Sequence, residues 1–161
     1  MTKQDFLLQS YPTLLKAIDP NTLPVFGKMN VIQMIDHMAD SFRMANGKDV
    51  YTEIITPVER IGPMQDFLRS TKDFKPNTKN ALMAEEPKPA RSNNCDEAIE
   101  SLKAELNDFF TYFKNDDEKT LRNPFFGDLN FEMTLNLLHK HAIHHLRQFN
   151  AISVDPVYVN P

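Results

Sequence analysis

The sequence predicts an all-α fold, a four-helix bundle with one long crossover between its second and third helices. Four segments repeat apolar residues at intervals of three and four, the period of a helix that buries one face. The 11 prolines cluster between these segments, where proline ends a helix. The 161 residues suit one domain, which we expect to span positions 1–161.

The first predicted helix covers about residues 3–18 and contains Pro12. Proline inside a helix removes a backbone donor and clashes with the preceding turn, so we expect a kink or a restart there. Ser10 is a candidate N-cap for the restarted part. The pair Asp19 and Pro20 marks the end of this segment.

The second predicted helix covers Val31–Ala45 and has signals at both ends. Asn30 is a suitable N-cap, and Gln33 stands where the second half of a capping box reaches back. Asn46 and Gly47 supply the stop. The third and fourth helices are predicted at about residues 96–114 and 131–150, the latter capped by Asn130.

The connection over residues 47–95 is long for a bundle, and a crossover of this length lets the second and third helices run parallel. It contains a helical candidate near residues 63–71 and an extended candidate at residues 52–56. Cys95 closes a polar stretch that predicts a loop. Residues 123–127 predict a turn that docks two aromatic side chains.

Charge and composition exclude several partners. The 22 acidic and 18 basic side chains give a formal charge of −4 without a basic stripe, so we expect no nucleic-acid partner. No segment approaches the roughly 20 apolar residues of a membrane helix, and the N-terminus lacks a secretion signal. A single cysteine suits a reducing compartment. We therefore expect a cytoplasmic protein without a membrane partner.

Histidines form the most informative pattern, because four of the five fall on the last predicted helix. His141 and His145 are four residues apart and stack on one flank of that helix. His37 occupies the corresponding flank of the second helix. Three neutral imidazoles suit zinc, nickel, iron or cobalt, and they leave a coordination position for water or substrate.

The histidine pattern also permits an interpretation without a metal. Histidine pairs four residues apart arise by chance, and a histidine beside an apolar stripe is often an ordinary side chain at the boundary of the core. We expect His139 and His144 to be surface residues rather than metal ligands. Asp36 and Asp40 point away from the apolar stripe of the second helix, so we expect them in solvent rather than as general bases.

Three stretches resemble the DinB/YfiT-like superfamily, in particular a branch of small bacterial proteins. Residues 141–149, HAIHHLRQF, are similar to the family's "HxxHHxxQF" pattern. Residues 123–129 resemble "HP-x-FG-x-L", with Asn123 in the usual place of histidine. Residues 26–38 resemble a second helix of the form "G-K-M … M-x-x-H-M". The resemblance covers most of the chain, and the order and spacing of the segments match.

This resemblance implies an up-down-down-up four-helix bundle with a metal site formed by His37, His141 and His145. Relatives include thiol-dependent transferases and isomerases that use low-molecular-weight thiols such as bacillithiol or mycothiol. We therefore expect a divalent transition metal (zinc, nickel or iron) and a small-molecule substrate, with a transferase-like or hydrolase-like activity. The alternative is a non-catalytic module that binds a ligand or forms a homodimer.

Three further side chains are candidates for contacts with substrate or with the metal ligands. Gln148 follows His141 on a nearby flank of the last helix and could hydrogen-bond a ligand. Ser41 continues the flank of His37, and Thr134 precedes His141 by two turns; both are weaker candidates.

Overall fold

The computed structural model describes residues 1–78, 86–116 and 118–153, and within them the fold is mostly helical. Helix α1 consists of three consecutive pieces, Lys3–Asp5, Phe6–Ser10 and Tyr11–Lys16. The other elements in chain order are α2 (Val31–Ala45), α3 (Val58–Arg69), α4 (Cys95–Phe113), β1 (Leu121–Asn123), β2 (Gly127–Leu129) and α5 (Phe131–Gln148). The expectation of a helical protein is confirmed. None of the helices described is long and apolar enough to cross a membrane.

Pro12 interrupts α1 through a π-helical turn. In a regular α-helix the ring of Pro12 would clash with the carbonyl group of Leu8 and leave it without a donor. The π-helical piece Phe6–Ser10 directly precedes this point and accommodates the proline. Ser10 has helical backbone angles and makes no capping bond, so the prediction of a cap at Ser10 is wrong.

The helix caps follow the local sequence. Asn30 and Gln33 form the predicted capping box, each side chain bonding the other's backbone N–H at 2.9 Å. Gly47 adopts a left-handed φ of +80° after the end of α2. Asn130 caps α5 by accepting from the backbone of Met133. Cys95, expected in a loop, is the first residue of α4.

The crossover differs from the prediction in two places. Helix α3 starts at Val58 instead of near residue 63, so Pro63 lies inside the helix rather than at its first turn. Residues 52–56 form no strand; the Ile55 N–H donates to the carbonyl group of Pro124 at 2.7 Å. The turn at residues 123–127 closes an antiparallel hairpin that was not predicted, with Leu121 opposite Leu129.

Helix α5 lies between two apolar clusters. The main core contains buried side chains from α1, α2, α4 and α5, and the most extensive packing is between α2 and α4. A smaller cluster lies between α3, the hairpin and α5; its buried members are Leu68, Phe126 and Leu129. Burial of apolar area on both faces fixes the rotation of α5, and that rotation determines where its histidines point.

Candidate metal centre

Two helices bring three histidine side chains together. His141 and His145 lie one turn apart on α5, and His37 faces them from α2. The Nε2 atom of His141 lies 3.1 Å from Nε2 of His37 and 2.9 Å from Nε2 of His145. One ring nitrogen from each histidine falls within 4.8 Å of the other two. The three residues singled out in the sequence thus form a single cluster.

The donor set and its spacing fit a transition metal ion. Two nitrogens that each lie about 2.1 Å from one ion are about 3.0–3.4 Å apart when the angle at the ion is about 90–110°. The two Nε2–Nε2 separations, 3.1 and 2.9 Å, are close to this range. Imidazole nitrogens suit zinc, nickel and iron, whereas calcium and magnesium prefer oxygen. These residues therefore could hold a metal ion.

Burial keeps the three rings neutral. It lowers the pKa of His37, and it lowers the pKa of His141 and His145 well below the ordinary value for imidazole. The neighbouring imidazoles act in the same direction, because a second positive charge in the cluster would be repelled. Neutral imidazole is the form that ligates metals, so these pKa shifts favour the form that could hold an ion.

Gln148 sets the tautomer of His145. The side-chain N–H of Gln148 donates to the carbonyl oxygen of Phe26 at 2.7 Å, and its Oε1 lies 2.8 Å from Nδ1 of His145. A carbonyl can only accept, which fixes the orientation of the amide, so Nδ1 of His145 must be the donor. The lone pair of Nε2 then points into the cluster, as in metal sites whose ligands are oriented by a second hydrogen bond.

Gly27 makes room for this contact. It has a left-handed φ of +75°, and a Cβ atom at this position would lie 2.7 Å from Nε2 of Gln148. Phe26 and Gly27 stand out in the sequence only through the resemblance of residues 26–38, since a backbone carbonyl has no signature in the sequence. The glycine before the second helix was the available signal.

A comparison with known protein families matches the part of the chain that contains the cluster. The sequence model of the DinB superfamily matches residues 9–149, a range that contains α2 to α5 and all three histidines of the cluster. The chain belongs to the DinB superfamily. No curated protein and no solved structure matches it significantly. Superfamily membership and the three-histidine cluster agree on a site that could hold a metal ion.

In this DinB-superfamily protein, the hydroxyl groups of two other candidates, Ser41 and Thr134, hydrogen-bond backbone carbonyl groups four residues earlier in the chain. Ser41 donates to the backbone carbonyl of His37 at 3.0 Å, and Thr134 donates to the carbonyl of Asn130 at 2.8 Å. Ser41 is thereby linked to the backbone of a candidate ligand. Contacts of Ser41, Thr134 and Gln148 with a substrate stay predictions.

His144 and His139 lie outside the cluster but are partly buried rather than exposed on the surface. The ring of His144 lies between two aromatic side chains, with its centroid 5.0 Å from that of Phe26 and 6.1 Å from that of Phe74. His139 contacts Phe6 edge-on at 5.1 Å. Both were expected on the surface rather than among the ligands; they do lie outside the cluster, but loops and α1 partly cover these flanks of α5.

Asp36 is also buried, contrary to the expectation of a solvated side chain. It is 5% exposed and accepts hydrogen bonds from the backbone N–H groups of Arg91 and Ser92 and from the hydroxyl of Ser92. Burial alone would raise the pKa of Asp36, but these hydrogen bonds outweigh it and lower the pKa. Asp36 therefore anchors the segment before α4 beside His37, and Asp40 pairs with Arg91 next to it.

Proposed function

We propose that this protein binds one divalent transition metal ion, zinc, nickel or iron, through His37, His141 and His145, and is a metal-dependent enzyme. The observation that carries the proposal is the convergence of three ring nitrogens within 4.8 Å. The hydrogen bond between His145 and Gln148 supports it, because it directs a lone pair into the cluster.

The proposed reaction is transfer to or from a low-molecular-weight thiol, with a hydrolytic variant in which water replaces the thiol. A divalent ion at this site supplies Lewis acidity, which lowers the pKa of a coordinated thiol or water. Three protein ligands leave room for such a group. His145 is buried and Phe74 lies beside His141, while His37 is partly exposed, so the substrate approaches from the side of His37.

The packing of the helices also bears on the architecture of the protein. The main core is shared by α1, α2, α4 and α5, which supports a single-domain four-helix bundle in up-down-down-up order with α3 in the crossover. We propose a cytoplasmic protein with a small-molecule substrate, and a homodimer as its assembly. Light scattering on the purified protein tests the assembly independently of the metal.

Elemental analysis of protein purified without a histidine tag tests metal binding. We expect about one equivalent of metal per chain, and loss of it in His141→Ala, because two ligands bind much more weakly than three. His139→Ala is the matched control, since His139 lies on the same helix and contacts Phe6 instead of the cluster. Wild-type protein that neither carries nor takes up metal would refute the proposal.

A second measurement separates an enzyme from a binding module. Metal-loaded protein is incubated with a low-molecular-weight thiol and an aryl halide, and thiol consumption is followed by colorimetric titration. If the protein is an enzyme, we expect thiol consumption that depends on metal and is abolished in His141→Ala. Metal binding without turnover of thiol, or of ester substrates in the hydrolytic variant, favours the non-catalytic alternative.

A further inference from the structure

The segment of residues 70–74, which follows α3, is tied to α5 by a buried lysine. The ammonium group of Lys140 donates to the carbonyl groups of Ser70 and Lys72 at 2.7 and 2.5 Å. Lys140 is only 7% exposed, which is unusual for lysine. Because its partners are backbone carbonyls, the contact fixes the path of the main chain whatever side chains the segment carries.

A sheltered ion pair adds a second tie. Arg147 of α5 pairs with Asp73 at 2.7 Å, and the two side chains are 17% and 22% exposed. Every other ion pair among the described residues has at least one partner that is more than a third exposed. Reduced screening by water makes a pair of this kind stronger than a surface pair.

The third tie brings an aromatic ring against the metal centre. The ring of His144 contacts the ring of Phe74 edge-on, with 6.1 Å between their centroids. The centroid of the Phe74 ring lies 6.2 Å from that of His141 and 5.2 Å from that of Phe67. Phe74 therefore stands beside the ring of His141, at the end of a segment that α5 contacts at three points.

We propose that residues 70–74 form a cover on the His141 side of the histidine cluster, held closed by Lys140, His144 and Arg147. Ligands reach or leave His141 on this side only when the Asp73–Arg147 pair separates and Phe74 moves away. The consequence for metal exchange rests on the proposed function, whereas the cover itself does not. Three separate contacts hold this five-residue segment against α5, more than the termination of α3 requires.

Chemical modification of metal-free protein tests the cover. The rate at which diethyl pyrocarbonate modifies His141 is measured by peptide mass spectrometry in wild type, Asp73→Asn and Phe74→Ala. We expect modification to accelerate about three- to tenfold in both variants, the effect of weakening the closed state by one ion pair or its equivalent. His139 is an internal reference, and Asp49→Asn, which breaks the Arg43–Asp49 pair, is the matched control. Rates at His141 equal to wild type in both variants would overturn the proposal.

Release of metal to excess chelator gives the second readout. We expect faster release of Co²⁺ from Asp73→Asn and Phe74→Ala, with unchanged equilibrium affinity because all three ligands remain. Phe74→Leu keeps an apolar cover and should release slowly, which also shows that folding is not the cause. If wild type binds no metal, the proposed function fails and the modification rates still decide on the cover. If metal binds and both rates match wild type in every variant, only the cover fails.

Discussion

Nδ1 of His145 lies 2.8 Å from Oε1 of Gln148, and the amide of Gln148 is held in turn by the carbonyl of Phe26. The loop before α2 thus reaches the candidate ligands through one side chain of α5. This chain of two hydrogen bonds links the conformation of Gly27 to the protonation of His145. It also makes the candidate metal centre sensitive to residues that cannot coordinate an ion.

Replacing Gln148 by methionine should weaken metal binding while leaving the three ligands in place. Methionine fills a similar volume but cannot accept from Nδ1 of His145, so the ring loses its fixed tautomer. Loss of such an orienting partner costs about 10- to 100-fold in affinity. Competition with a chelator measures the change. Gln65→Met is the control, because Gln65 bonds the carbonyl of Phe126 away from the cluster; an equal loss there would count against this role of Gln148.

Gly27→Ala should reduce both stability and metal affinity. The left-handed backbone costs a residue with a Cβ atom about 1–2 kcal/mol, and that atom would displace Gln148 from its contact. Thermal unfolding and chelator competition report the two effects. Gly62→Ala is a matched control inside α3, where a Cβ atom meets nothing within 4 Å. There we expect unchanged affinity and little change in stability, because the gain of alanine over glycine in a helix is offset by crowding between its Cβ atom and the ring of Pro63.

Most helices could be predicted because their signals are local. The cap at Asn30 and the stop at Gly47 lie within a few residues of the helix they delimit. The start of α3 was missed because proline is favoured in the first turn of a helix and disfavoured further in, whereas α3 begins at Val58 and contains Pro63 in its interior. The hairpin was missed because strands of three residues are too short to show an alternating pattern.

In the candidate site, too, the features that follow from local sequence could be predicted and the long-range contacts could not. His141 and His145 lie one helical turn apart, and His37 lies beside the apolar stripe of an amphipathic helix. Helical periodicity alone could therefore identify these three histidines as candidate ligands. The contacts of Gln148 with Phe26 and of Arg147 with Asp73 join residues 122 and 74 positions apart. Nothing in the local sequence marks such pairs, because they depend on how the crossover and the loop before α2 pack on α5.

Tyr11→Phe should stabilise the protein. The hydroxyl of Tyr11 is buried and has no hydrogen-bond partner in the described parts of the chain, and burial raises the pKa of Tyr11. Removing an unsatisfied buried hydroxyl recovers its desolvation cost, here about 1 kcal/mol. The midpoint of thermal unfolding should rise by about 2–4 °C. A lower midpoint would mean that the hydroxyl is hydrogen-bonded in solution, for example to water. Tyr112→Phe, at a partly exposed position, should leave the midpoint unchanged.

Glu105 is the centre of an ionic network between the end of α2 and α4. Its carboxylate accepts from Lys48 at 2.8 Å, from Asn46 at 2.8 Å and from Arg43 at 3.1 Å. Burial alone would raise the pKa of Glu105, but the hydrogen bonds and the positive charges of Lys48 and Arg43 outweigh it and lower the pKa below 4.5. The folded state therefore holds the charged form of Glu105 more tightly than the unfolded chain does.

Glu105→Gln should destabilise the protein only where Glu105 is ionised. A carboxyl group with a depressed pKa contributes stability that is fully present above its unfolded pKa of 4.5 and is lost as the pH falls through its folded pKa. We expect a deficit of about 2 kcal/mol at pH 7, shrinking steadily below pH 4.5. Urea unfolding from neutral pH into the acid range measures it. Asp66→Asn, whose side chain is 79% exposed, should show almost no deficit at any pH. A deficit in Glu105→Gln that stays constant with pH would mean that shape, not charge, is what the network requires.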